Sequence, residues 1–376
     1  MIASRFLVTA LLASTSLAAC MAQPDDDPTL GETTSNLSAA NWGAEYRAPF
    51  VNQGPALGSP PAMAMLNGTQ FWVYTYEPDA AITAIHDLYW QRCDATACTP
   101  TTRIPNQESL GPVSLAAYNG FIYMVHQGDS DETAVWFSRL DPSTNTWTPN
   151  VKLGFATHGG PPALAAFNGL LYMVGSQQVN NTYPLWFATM GVGETWAPSQ
   201  PVYITNGKPE ESATRSSLAV LNGVMYLAHE WGQTSEIVMQ HMATTTWSAV
   251  QHIPAGPPNT NIQGGDVQLA VANGYLHLVH HRWSGDDVWW TSNRGCDAFA
   301  AEVTIPYINY QSPAMLVAVP GGLIAGTLED DALWPYSEPE LRSSFFLAPA
   351  APIRPPNCSV GGTTGVGGGG TIGSTP

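Results

Sequence analysis

Six segments of this chain share one pattern: an apolar run, a two-residue turn and a second apolar run. They occupy 62–68, 114–120, 163–169, 217–223, 268–274 and, with Pro-Gly in place of Asn-Gly, 315–321. The turn glycines, Gly68, Gly120, Gly169, Gly223, Gly274 and Gly321, follow one another at steps of 47 to 54 residues. Asn-Gly between apolar runs is the strongest short-range hairpin signal, because a type I′ turn needs φ > 0 at both central residues. Five such turns in one register make the chain a repeat protein built from hairpins.

Each repeat continues in the same order. A second strand such as Phe121-Ile122-Tyr123-Met124-Val125 leads through a polar loop to a third, as in Leu88-Tyr89-Trp90, Val135-Trp136-Phe137, Leu185-Trp186-Phe187 and Val288-Trp289-Trp290. A fourth opens on Thr-Trp at Thr146-Trp147, Thr195-Trp196 and Thr246-Trp247. Four strands per roughly 50 residues is the unit of a propeller blade. The small, uniform Ala and Leu of each first strand suit the crowded axis, and no segment keeps a helical period. The fold class is therefore all-β, a β-propeller of six four-stranded blades rather than seven. Asn41-Trp42-Gly43 resembles the start of a fourth strand with no first three before it, so an N-terminal strand is expected to complete the last blade. There Met315 to Val319, Leu323 to Leu328 and Leu333-Trp334 supply the other three. The alternative gives the outer place in that blade to Ser343–Leu347 and leaves Trp42 elsewhere.

Composition narrows the partners. Twelve Lys+Arg stand against 29 Asp+Glu, a formal net charge of -17. Phosphate backbones repel such a surface, so no nucleic acid is expected as a partner. Charged residues make up only 11% of the chain, with 13 Trp and 14 Tyr in their stead, as befits aromatic-rich strands and turns.

The ends divide the chain further. Arg5 precedes a short apolar stretch from Phe6 to Leu17 that reads as a signal peptide over 1–19 and is too short to span a bilayer. Leu17-Ala18-Ala19-Cys20 resembles the lipobox of bacterial lipoproteins. That resemblance implies lipidation of Cys20, export, and a membrane partner through the lipid. Met21 follows the cysteine where an Asp would mark inner-membrane retention in enteric bacteria, so the outer membrane or cell surface is expected. A polar tether then spans 20–41, the propeller 42–341 and a Pro/Gly-rich tail 342–376. Without Cys20, the cysteines are Cys93, Cys98, Cys296 and Cys358. An even number in an exported chain reads as two disulfides, Cys93 with Cys98 and Cys296 with Cys358. The spacing lacks the paired C-x-x-C units of a zinc site.

The repeat as a whole resembles two propeller groups, the six-bladed fucose-binding lectins and the sialidase-like propellers with Asp boxes between third and fourth strands. Asp141–Trp147 and Met190–Trp196 lie where degenerate Asp boxes would. Arg103-Ile104-Pro105 resembles the Arg-Ile-Pro element of sialidases, whose Arg grips a carboxylate. Ile253-Pro254 and Ile305-Pro306 hold the same repeat position, so Ile-Pro also reads as an ordinary strand ending.

Candidate site residues cluster at the ends of the second strands. Six residues past the turn glycine stand His126, His229 and His280, with Tyr74 and Gly175 at that place in the first and third repeats. The loops beside them bring Arg215, Trp231, Arg282 and Trp283 to the same face. Imidazole and aromatic groups, with the carboxylates of Glu230 and Asp286 on the same face, supply the stacking surface and hydrogen bonds that sugars need, so a glycan is the expected ligand. Two other readings stand beside it: each imidazole bonds a nearby backbone group, or the three converge on a metal. No catalytic residues, metal site or cofactor are assigned. Non-catalytic, lectin-like binding is the leading expectation, with a sialidase-like hydrolase or lyase and a protein-interaction scaffold as alternatives.

Overall fold

A computed structural model describes residues 42–45, 59–76, 86–94, 97–128, 133–203, 208–212, 214–232, 236–253, 264–282, 287–293, 299–300, 302–309, 315–319, 322–329 and 340–346. The signal peptide, the tether, Cys20, Cys296, Trp283 and Cys358 lie outside these residues.

The chain is all-β, with its sheets in a propeller arrangement. The described strands form six antiparallel sheets, numbered here by repeat. Sheet 1 comprises Ala62–Leu66, Thr69–Tyr76, His86–Cys93 and Thr102–Ser109; sheet 2 comprises Ser114–Tyr118, Phe121–Gln127, Ala134–Asp141 and Val151–Ala156. Sheets 3, 4 and 5 begin at Ala163–Phe167, Ser217–Leu221 and Gly264–Ala272 and run in the same simple order. Sheet 6 takes Met315–Val319, Gly322–Glu329 and Glu340–Phe346, then Trp42–Glu45 at its edge.

Sheet 6 corrects part of the expected strand assignment. Its third strand is Glu340–Phe346, so the sheet runs past residue 341, and Leu333-Trp334 lies outside the described residues. Ser343 and Ser344 therefore belong to a third strand, facing Gly326 and Ala325, and not to an outer one. Trp42 pairs with Phe346 beyond it.

The five Asn-Gly turns adopt the backbone their sequence demands. Asn67, Asn119, Asn168, Asn222 and Asn273 have φ between 47° and 52°, and the glycines after them between 74° and 82°. Both central residues are left-handed, which matches the twist of the flanking strands. The Thr-Trp elements are shorter than a full strand: Thr146-Trp147 pairs with the third strand, and Val151–Ala156 then forms the edge.

Each sheet buries both faces. In the second strand of sheet 3, Leu171 and Met173 join Val125 of sheet 2, whereas Tyr172 and Val174 join Leu218 and Leu227 of sheet 4. The alternation follows from the period of two along a strand. Equivalent cores lie between sheets 4 and 5, 5 and 6, 6 and 1, and 1 and 2. The Thr-Trp indoles pack on the preceding sheet: Trp147 lies 6.3 Å edge-on from Trp90, Trp196 5.7 Å from Phe137, and Trp247 6.3 Å from Phe187. Cys93 and Cys98 are joined by a disulfide at the end of the third strand of sheet 1.

Gly169 isolates the turn's contribution. Its φ is +74° and a Cβ there would meet nothing within 4 Å, so Gly169→Val should destabilise by backbone strain alone, about 1–2 kcal/mol. Calorimetry should show a Tm lower by a few degrees, while Gly154→Val, in open space on an edge strand with no left-handed φ, should leave Tm unchanged or raise it.

Candidate functional site

The three histidines do not share a cavity. His126, His229 and His280 are each 0% exposed, and they sit in sheets 2, 4 and 5. Each ring places Nδ1 on the carbonyl of the next residue: Gln127 at 2.9 Å, Glu230 at 3.0 Å and His281 at 3.2 Å. A carbonyl only accepts, so each Nδ1–H is the donor. The surroundings of Nε2 differ in each sheet. Asn150 donates to His126 from 3.1 Å and Glu302 lies 2.8 Å from His280, whereas His229 Nε2 has no hydrogen-bond partner among the described residues and Glu210 lies 3.9 Å away. In sheet 1 the same position is Tyr74, bonded to Thr101 at 2.6 Å. In sheet 3 it is Gly175, where a Cβ would come within 2.9 Å of Trp186. The expected ligand-facing role of these imidazoles gives way to an internal one, because burial leaves them no surface. Among the described residues no group of three His, Cys, Asp or Glu is arranged to hold a metal.

The other expected residues separate. Trp231 sits beside the edge strand of sheet 4, its indole 5.1 Å from His252. Arg282 ends the second strand of sheet 5, its backbone opposite Gly264. Arg103 stands half-exposed on the edge strand of sheet 1, paired with Asp87 and Glu108, while Ile104, Ile253 and Ile305 are buried. Ile-Pro is thus a packing element, and Arg103 is a surface ion pair.

Arg215 lines a cavity. Leu115, Leu164, Leu218 and Leu269 line a space of about 140 Å³ together with Arg215, and residues of all six sheets contribute to its wall. The apolar first strands thus meet at a common centre, as the repeat pattern requires. The Arg215 backbone N–H donates to Asp266 at 3.3 Å, and its guanidinium donates to the carbonyl of Val113 at 3.2 Å. Burial lowers the Arg215 pKa and raises that of Asp266, each offset in part by the other's charge.

A second opening lies between sheets 1 and 2. This cleft of about 430 Å³ is lined by Trp136 and Trp147 with Asn106, Glu108 and Asn150. Trp136 lies over Gly128, where a Cβ would stand 2.1 Å from its Nε1. The corresponding cleft between sheets 2 and 3 is smaller, about 200 Å³. There Phe155 stacks 5.2 Å from Trp186, whose N–H donates to the Ala156 carbonyl. The repeat pattern marks Trp136 and Trp186 as strand-three packing residues, and both do pack. The glycine beneath Trp136 and the polar rim escape a reading by strand pattern, because Asn106 and Asn150 belong to different repeats.

No family model and no curated protein matches the chain. Solved structures share its fold. A protein of unknown function from Dyadobacter fermentans is similar over 80% of this chain and 96% of its own, with TM-score 0.57 and 12% identity. The Hadza microbial sialidase Hz136 matches 75% of this chain with TM-score 0.52 and 10% identity. The Trypanosoma rangeli sialidase, solved with the inhibitor DANA, matches 76% with TM-score 0.54 and 11% identity. This chain spans 64% and 54% of those two sialidases.

The burial of Glu210 has a measurable consequence. Burial raises its pKa from 4.5 to about 7, and burial lowers that of His229 from 6.5 to about 4. Between pH 4.5 and 7 the folded state holds more protons at Glu210 than the unfolded chain does, so this group's contribution falls as pH rises. His229 acts oppositely, its contribution falling as pH drops from 6.5 towards 4. Glu210→Gln should therefore be more stable than the parent by about 2–3 kcal/mol near pH 8 and gain little near pH 5. Urea unfolding at both pH values checks this; an equal difference at each would refute it.

Proposed function

We propose that this chain is a lipid-anchored envelope protein whose six-bladed propeller binds carbohydrate, without catalysis, in the cleft between sheets 1 and 2. The observation that carries this reading is the partly exposed indole of Trp136, with the packed Trp147 behind it, beside the carboxamides of Asn106 and Asn150 and the carboxylate of Glu108. Indoles stack on the C–H faces of a sugar ring, and amide and carboxylate groups bind its hydroxyls. Phe155 occupies the equivalent place in the smaller cleft between sheets 2 and 3. The six-blade reading rests on the closed succession of cores between neighbouring sheets, with Trp42–Glu45 completing the last. Glycoside hydrolysis requires two carboxyl groups about 5–10 Å apart flanking the scissile bond. Among its described lining residues the axial cavity carries none.

A glycan array probed with the full chain should give binding that Trp136→Ala weakens at least about tenfold, 1.4 kcal/mol. Trp186→Phe should leave it intact. No glycan bound by the folded protein, or full affinity in Trp136→Ala, sinks the proposal.

The anchor rests on Leu17-Ala18-Ala19-Cys20. Cys20→Ser expressed in a bacterial host should lose incorporation of labelled palmitate and leave the membrane fraction; retention of the label would refute lipidation at this residue.

A further inference from the structure

The axis of the ring breaks the repeat at two adjacent places. Two residues before Ala62, Ser114, Ala163, Ser217, Gln268 and Met315, which hold one place in the repeat, stand Pro60, Pro112, Pro161, Arg215, Asp266 and Pro313. Four prolines are what a tight entry to a strand needs; a cation and an anion are not. That repeat place changes too, from Ala62, Ser114, Ala163, Ser217 and Met315 to the long amide of Gln268, which lies within the first strand of sheet 5. Both departures face the same central cavity, which Arg215, Ser216 and Gln268 line.

The polar groups there are left incomplete. The Arg215 stem lies 3.6–3.8 Å from the position of a Cβ on Gly160, at the entry to sheet 3, and its guanidinium bonds Val113, at the entry to sheet 2. It thus leans away from sheet 5, where Asp266 holds the Arg215 backbone. Among the described residues no carboxylate comes within 4.0 Å of this guanidinium, whereas Arg103 pairs with Asp87 and Arg139 with Glu194. Four of its five N–H donors have no acceptor in the described structure. Ser216 Oγ and Gln268 Nε2 are likewise buried without a partner, Ser216 being 5% exposed. Arg215 is half-buried at the cavity wall, and its planar fork, with a single carbonyl acceptor, is open to an anion that would complete it.

We propose that the axial cavity binds a small oxyanion, a carboxylate or phosphate group, held by the Arg215 guanidinium with Ser216 Oγ and Gln268 Nε2. The volume of about 140 Å³ suits one such group and not a whole sugar. The planar fork of the guanidinium meets two oxygens of either anion. Asp266 is the neighbouring negative charge, and its bond to the Arg215 backbone keeps the side chain aimed across the axis. This site is separate from the indole cleft and does not depend on glycan binding.

The test titrates the full chain with sodium acetate and, separately, with inorganic phosphate at constant ionic strength set by chloride. Thermal shift and calorimetry are the readouts. Saturable binding of either anion is expected, and which of the two binds distinguishes planar from tetrahedral selection. Arg215→Gln should abolish it. Because that change could disturb the ring, Gln268→Leu provides a second variant that keeps the cation and should weaken binding about tenfold by removing one charge-assisted hydrogen bond. No saturable binding of either anion, or binding that persists unchanged in a folded Arg215→Gln protein, overturns the proposal.

Discussion

A sheet that is apolar on both faces must be covered on both, and that requirement organises this molecule. The second strands of sheets 3 and 4 are buried almost end to end, with successive residues delivered to opposite neighbours. A row of such sheets would leave an exposed apolar face at each end, the condition that favours association between molecules. A ring has no end. Closure then dictates composition: where first strands converge, only small side chains fit, and where third strands spread apart, aromatic rings fill the widening wedge. Trp147, Trp196 and Trp247 are such fillers, each reaching back to the sheet before it.

Periodicity made most of this architecture legible. Asn-Gly is a local signal, since the left-handed φ it demands depends on two residues and little else, and it gave five hairpins in register. Strand identity was less readable where sequence and geometry part. The third strand of sheet 6, Glu340–Phe346, lacks the Trp that marks four of its five counterparts, so its pattern pointed to Leu333-Trp334 instead. The histidines misled for a different reason. A repeated polar residue at a strand end reads equally as a binding row or as a repeated internal hydrogen bond, and only burial separates the two. Here burial is complete.

Deviation from the repeat proved more informative about sites than the repeat itself. Residues that recur are held by requirements every sheet shares: a turn, a hydrogen bond, a filled wedge. Residues that differ in one sheet answer to something local. Gly128 under Trp136 and Phe155 over Trp186 make two neighbouring clefts unlike each other. Arg215, Asp266 and Gln268 distinguish one side of the axis from the rest. The His position shows the same logic at smaller scale, where Asn150 donates to one imidazole, Glu302 lies 2.8 Å from another, and the Nε2 of His229 has no hydrogen-bond partner among the described residues.

Closure also ties the two ends of the described chain together. Trp42 and Phe346 are register partners, so sheet 6 cannot be finished until residues about 300 positions apart meet. The loop entropy of such a contact grows only slowly with length, but it must be met before the pairing rewards it. The cores on either side of sheet 6, against sheets 5 and 1, supply that reward together. The last sheet is therefore stabilised by its neighbours more than by its own edge, and the axial cavity, whose wall includes Leu316 and Val317, takes its final shape only when the ring is complete. Ligand binding at the axis and closure of the ring are thus coupled through the same six inner strands.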